Sequence, residues 1–282
     1  MTFLPRNDVF TANPPIGLDV ALSVNGSNWL WAVTAIYLVS FIGLLCFCFA
    51  SPENQRVFHY TFTVALLVGG ATYFAQAADL GWSAVHDDGA VRQLFYAKYI
   101  NWAVSFPAVA LALGLLSGVS WTTIVCNIAL VWTWVLTCLA AAYTTTSSSY
   151  GWGFFAFGTL CWLVLAMSTL NESREEAARR GIARDYVLLA AWPNLLWLLY
   201  PVAFALSDGA SVIGVTGGAV FFGVLDVLMV PVLSFAFVFL GRNWDWARLE
   251  LDFSEYRGSG QARALLDKPS SPAVQGGLGS QA

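Results

Sequence analysis

Seven stretches of this chain run for about twenty residues with almost no charge: about 29–50, 57–78, 94–116, 122–143, 152–170, 187–206 and 217–241. A helix rises 1.5 Å per residue, so each stretch is long enough to cross the ~30 Å hydrocarbon core of a bilayer. A soluble domain of 282 residues with 58% hydrophobic and 11% charged residues would have no means of hiding its apolar surface. The expected fold is therefore an all-α membrane protein, a seven-transmembrane-helix bundle with its termini on opposite sides. Its domains read as an outer segment at 1–27, the bundle at 28–242, an interfacial helix at 243–257 and a disordered tail at 258–282.

Orientation follows from the basic residues. Arg56, Arg174, Arg179, Arg180, Arg184, Arg242 and Arg248 gather at one end, whereas Asp19, Asp79, Asp87, Asp88 and Asp208 dominate the other. The positive-inside rule puts the C-terminus in the cytoplasm and the N-terminus outside. The first twenty residues lack the continuous apolar core of a cleaved signal peptide, so the first span is expected to direct insertion itself. Asn25-Gly-Ser27 then forms a glycosylation sequon on the outer side. A net charge of −4 argues against a nucleic-acid partner, and the lipid bilayer is the expected surrounding. All five cysteines lie in apolar spans and read as packing residues, with no disulfide framework or metal site.

The connections carry local signals. Asp88-Gly89 between short alternating runs predicts a β-hairpin on the outer face. His86 beside two aspartates reads as a solvated acidic turn, since no second His or Cys is near. Glu175 and Glu176 precede Arg179 and Arg180 by four residues, which extends helix five beyond the membrane. After Arg242, residues Trp246, Leu249, Phe253 and Tyr256 share a helical face with Trp244 nearby, predicting an amphipathic helix along the inner leaflet. The Gly, Ser and Pro content from Gly258 onward predicts disorder.

Polar groups at membrane depth are expensive and carry the functional information. Lys98, Asn101 and Ser105 share one face of helix three, with Trp102 beside them. Helix six aligns Trp197, Tyr200 and Phe204, helix two offers Tyr73 and Gln76, and helix seven carries one acid, Asp226. The spacing fits a midplane pocket walled by the aromatics with Asp226 at its polar end. It also fits an aromatic core in which tyrosine hydroxyls satisfy a leftover carboxyl, the commoner use of such stripes.

The runs RQLFYAKYINWAVSFP, YGWGFFAFG, WLLYP and LDV, in that order, resemble the microbial rhodopsin family and specifically its fungal branch, over roughly residues 28–242. In that family retinal is bound as a Schiff base on a lysine four residues after the helix-seven aspartate. Here that position is Val230, and the chain's two lysines are Lys98 and Lys268. The resemblance implies that Lys98 replaces an arginine on the outer side, that Asn101 stands at the lost proton-acceptor position and that Ala112 stands at the lost proton-donor position. It puts Gly218 at the pumps' acid-release position, leaves Asp208 alone of the outer acidic pair, and places Asn127 at a helix-four carboxyl. Trp134 takes the place of a small residue beside the retinal ring. Trp102, Trp197, Tyr200 and Phe204 remain as pocket residues, and Asp226, Tyr73 and Tyr200 as a hydrogen-bonded set to which Lys98 would add charge. A proline after Val230, Pro231, removes a helical donor from the Val227 carbonyl.

This pattern is similar to the fungal opsin-related proteins, the group that includes small heat-shock membrane proteins without the retinal lysine. The resemblance implies a stress-induced protein of the plasma membrane with no covalent retinal and no proton pumping. Its implied role is membrane chaperoning or restraint of a plasma-membrane proton ATPase, with self-association a further expectation. A receptor holding retinal or another apolar molecule non-covalently is the alternative, and a light-driven transporter or photoreceptor lacks its protonatable groups. No nucleophile–base pair or metal cluster supports an enzyme.

Overall fold

The computed structural model describes residues 8–251, apart from 88 and 146. Seven helices are long and apolar enough to cross a membrane: α1 Val24–Ala50, α2 Val57–Ala77, α3 Ala97–Ser117, α4 Trp121–Tyr143, α5 Ser148–Arg179, α6 Ala183–Gly209 and α7 Val215–Gly241. They form the seven-helix bundle expected from the apolar runs. Large apolar side chains such as Val39, Phe157, Leu163 and Leu188 lie exposed on the outer faces, where lipid replaces water as the solvent. Helix α3 is the most enclosed of the seven and α5 the least, so α3 is the natural carrier of interior chemistry.

Between α2 and α3 the chain forms the antiparallel hairpin β1 (Trp82–Asp87) and β2 (Ala90–Phe95), running from the Trp82–Phe95 pair to the Asp87–Ala90 pair. The hairpin takes residues 94 and 95, which the apolar pattern alone assigns to helix three. Val20 bridges Arg92, and Gln93 fastens this end: its Oε1 accepts Leu22 N–H at 2.8 Å and its Nε2 donates to Asp79 Oδ1 at 2.7 Å. Asp79 is buried with its second oxygen unpartnered, and burial pushes its carboxyl above the usual range.

At 1.5 Å per residue the 32 residues of α5 span roughly 48 Å, so the helix runs well past the ~30 Å hydrocarbon core. The Glu–Arg pairing differs from the i,i+4 expectation. Arg179 bonds Glu176 at 2.6 Å, three residues back. Arg180 turns away from Glu176 and donates to the Leu249 carbonyl at 2.8 Å and the Gly118 carbonyl at 3.1 Å. Gly118, at φ 75°, is left-handed, and a Cβ there would overlap the Arg180 guanidinium.

The interfacial helix expected at 243–257 is absent from its described part. Residues 243–250 form turns, and Trp244, Trp246, Leu249 and Leu251 are buried against the bundle. Trp246 Nε1 caps the Gly241 carbonyl at 3.0 Å and Trp244 Nε1 donates to Asp185 at 2.9 Å. The periodicity was that of a burial face, and α2 and α7 supply the partner surface through Phe58 and Phe237. Phe253, Tyr256 and the tail at 258–282 lie outside the described residues.

Candidate functional site

Asp226 is 1% exposed and accepts hydrogen bonds from three other helices. Oδ1 accepts Tyr200 Oη at 2.5 Å and Trp102 Nε1 at 3.0 Å. Oδ2 accepts Tyr73 Oη at 2.6 Å and Asn101 Nδ2 at 2.9 Å. Four donors converge on a group that, when ionised, only accepts, and they replace the water that burial removes. A fifth bond ties in α1, whose Tyr37 Oη donates to the Asp226 backbone carbonyl at 3.0 Å. Tyr37 stacks on Tyr73 at 5.3 Å because Gly69 leaves the space: a Cβ at 69 would overlap the Tyr37 ring.

Lys98 is not part of this cluster. Its ammonium pairs with Asp208 and lies 4.7 Å over the Phe222 ring. Asp208 also accepts Tyr99 Oη at 2.5 Å, and its backbone carbonyl accepts Arg92 Nη2 at 2.6 Å. Lys98 thus reaches Asp226 through charge alone and makes its direct pair with Asp208, so each buried carboxylate has its own set of hydrogen-bond donors. The physical reason is position along α3. Lys98 lies one turn nearer the hairpin than Asn101 and Trp102, level with the end of α6 that carries Asp208. A chamber of about 120 Å³ beside Lys98, lined also by Arg92, Gln76, Gln93 and Ser207, extends this polar end towards the hairpin.

On the other side of Trp102 the interior is aromatic. Phe106 stacks on Trp102 at 5.9 Å and 10° and meets Tyr200 at 4.9 Å, Trp134 at 5.5 Å and Trp197 at 6.0 Å. Trp134 packs on Trp197 at 6.5 Å, while Phe204 stacks on Phe155 of α5 at 5.4 Å. Between Trp102, Phe106, Trp134, Tyr200 and Phe204 remains a cavity of about 10 Å³, the lower limit for a single water. The five candidate pocket residues thus belong to one packed region, and Phe106, absent from the sequence reading, is its hub. Its signal was available: Phe106 lies four residues after Trp102, on the same face of α3. Tyr37 had no such signal, because nothing local to α1 names a partner in α7.

Val230 is buried within a π-helical turn of α7, Leu228–Val232, that also holds Pro231. A π turn reaches back five residues, which covers the carbonyl that Pro231 is unable to serve. Trp192 Nε1 of α6 donates to the Leu228 carbonyl of the same turn at 2.9 Å. Ala112 lies fully buried more than two turns along α3 from Trp102, among apolar neighbours. Helix α7 contains no lysine.

Residues 26–240 match the family of bacteriorhodopsin-like proteins. This chain belongs to that family. It is 31% identical over 286 residues to the opsin-like protein carO of Fusarium fujikuroi, covering 96% of this chain and 91% of that protein. It is 29% identical to the 30 kDa heat shock protein of Saccharomyces cerevisiae, covering 89% and 83% respectively. Among solved structures it resembles the light-driven proton pump LR (Mac) from Leptosphaeria maculans, with TM-score 0.76 and 28% identity over 82% of this chain and 99% of that one. The chain is thus an opsin-related, fungal-type membrane protein of the bacteriorhodopsin-like family, and Asp226, Trp102, Tyr200 and Tyr73 are interior residues of that fold.

Proposed function

We propose that this protein is a non-photochemical member of the bacteriorhodopsin-like family, holding no covalent retinal and moving no protons. The observation that carries the reading is Val230: four residues after Asp226, where the family resemblance places the retinal lysine, stands a buried valine in a helix without any lysine. The interior does not fit the group either, because Trp134 and Phe106 fill the space beside Trp197 and leave about 10 Å³. Asn101 supports the same reading, since at the position the resemblance gives to a proton acceptor it donates to Asp226. The small cavity weighs against the alternative of an apolar ligand held non-covalently.

The protein then works through contacts with lipid or with another membrane protein. Its likeness to a protein named for heat shock supports a stress-linked role in membrane chaperoning. A plasma-membrane proton ATPase, known only through the family resemblance, is the candidate partner and the plasma membrane the candidate location. The gathering of Arg174, Arg179, Arg180, Arg184, Arg242 and Arg248 at one end supports that end facing the cytoplasm.

Purification of the full chain with and without all-trans retinal, followed by a visible spectrum and borohydride trapping, tests the reading. The expected result is no retinal-dependent visible band and no trapped imine. A band that borohydride converts into a covalent adduct overturns it.

A further inference from the structure

A second chamber, about 250 Å³ in volume, lies at the basic end of the bundle, between the end of α1, the start of α2 and the end of α7. Ser51, Gln55, His59 and Arg242 supply its polar lining, and Phe58 and Trp246 its apolar wall. These helices end at Ala50 and Gly241 and begin at Val57, so the chamber sits where hydrocarbon gives way to headgroups.

Its polar groups suit an anion. The Arg242 guanidinium lies 4.9 Å from the Phe239 ring and 5.5 Å from the Phe47 ring, with no carboxylate partner among the described residues. His59 is 5% exposed, its Nδ1 has no hydrogen-bond partner, and its Nε2 is 3.4 Å from Ser51 Oγ. Helix α2 opens beside it without a side-chain cap, presenting the positive end of a 21-residue helix. The carbonyls that would repel an anion are already engaged: Trp246 Nε1 takes that of Gly241 at 3.0 Å and Arg56 Nε that of Ser51 at 3.0 Å. Glu53, the single acid in the 51–56 connection, does not line the chamber.

We propose that this chamber binds a phosphate group, carried by the headgroup of an anionic phospholipid. Arg242 would contact the phosphate oxygens. His59 would join it as imidazolium, protonated on Nδ1 as the anion binds, because Ser51 Oγ gives its own proton to the Phe47 carbonyl and so takes Nε2–H. The acyl chains would leave past Phe239, which is half exposed on the lipid side. A free phosphate shares the headgroup chemistry but has no use for that apolar exit.

The test is native mass spectrometry of the full chain in neutral detergent, titrated with phosphatidic acid, phosphatidylcholine or inorganic phosphate. One phosphatidic acid should be retained at concentrations that leave phosphatidylcholine unbound. Arg242→Gln should weaken that retention about tenfold, the loss of one charge-assisted contact, and His59→Gln should weaken it in the same direction. Arg174→Gln, an exposed arginine that does not line the chamber, should leave it unchanged. Thermal melting of each variant separates loss of binding from loss of folding. Equal retention of phosphatidylcholine, or an equal effect of Arg174→Gln and Arg242→Gln, overturns the proposal. Binding of inorganic phosphate without lipid retention overturns its lipid source.

Discussion

Replacing Asp226 separates a structural clamp from an inert remnant. Four side-chain donors end on its carboxylate, from Tyr73, Asn101, Trp102 and Tyr200. In Asp226→Leu all four lose their acceptor in a dry interior. An orphaned donor costs roughly 1–3 kcal/mol in soluble proteins, whereas hydrogen bonds between membrane helices average ~0.6 kcal/mol. Four such losses therefore amount to roughly 2–4 kcal/mol, before any crowding by the larger side chain. Asp226→Asn keeps one carbonyl oxygen, enough for two of the donors. Its new amide can donate to Asn101 Oδ1, which is buried without a partner, so the net loss falls to roughly 1 kcal/mol. Thermal unfolding of parent and variants in one detergent should rank them parent, Asn, Leu, with Leu several degrees below Asn. If Leu melts with the parent, or Asn melts as low as Leu, Asp226 does not hold the helices together through its acceptor oxygens.

Lys98→Met should destabilise the bundle by roughly 1–2 kcal/mol, because it removes the nearer cation from buried Asp208 and leaves it the Tyr99 hydroxyl and the longer Arg92 pair at 3.8 Å. Adding Asp208→Asn should recover part of that loss, a non-additivity visible in a double-mutant cycle of melting temperatures. Val230→Lys alone should give no trapped imine with retinal, since Trp134 and Phe106 still fill the space; a visible band from this single change would show that the packing yields. Burial raises the folded-state pKa of Asp79, so the folded protein holds its proton more tightly than the unfolded chain does. Stability should therefore fall as pH rises from the usual carboxylate range through the raised value. Asp79→Asn should flatten that slope and raise the melting temperature at pH 7, while Gln93 keeps an acceptor.

The seven spans and the hairpin were legible in the sequence because both are local. A bilayer's thickness sets the length of an apolar run, and Asp88-Gly89 marks a turn between strands whatever surrounds it. Asp226 was legible as a site for the same reason: one acid in an apolar helix demands partners. Which partners it takes was decided only in the tertiary structure. Tyr37 is 189 residues away and Asn101 125, and the register and rotation of packed helices determine who meets whom. Those settings gave Lys98 to Asp208, sent Arg180 to the Gly118 and Leu249 carbonyls, and buried Trp246 and Leu249. Helical period reports that a face is apolar but not whether lipid or another helix will cover it. That choice depends on contacts between segments far apart in the chain, which spacing along one segment does not encode.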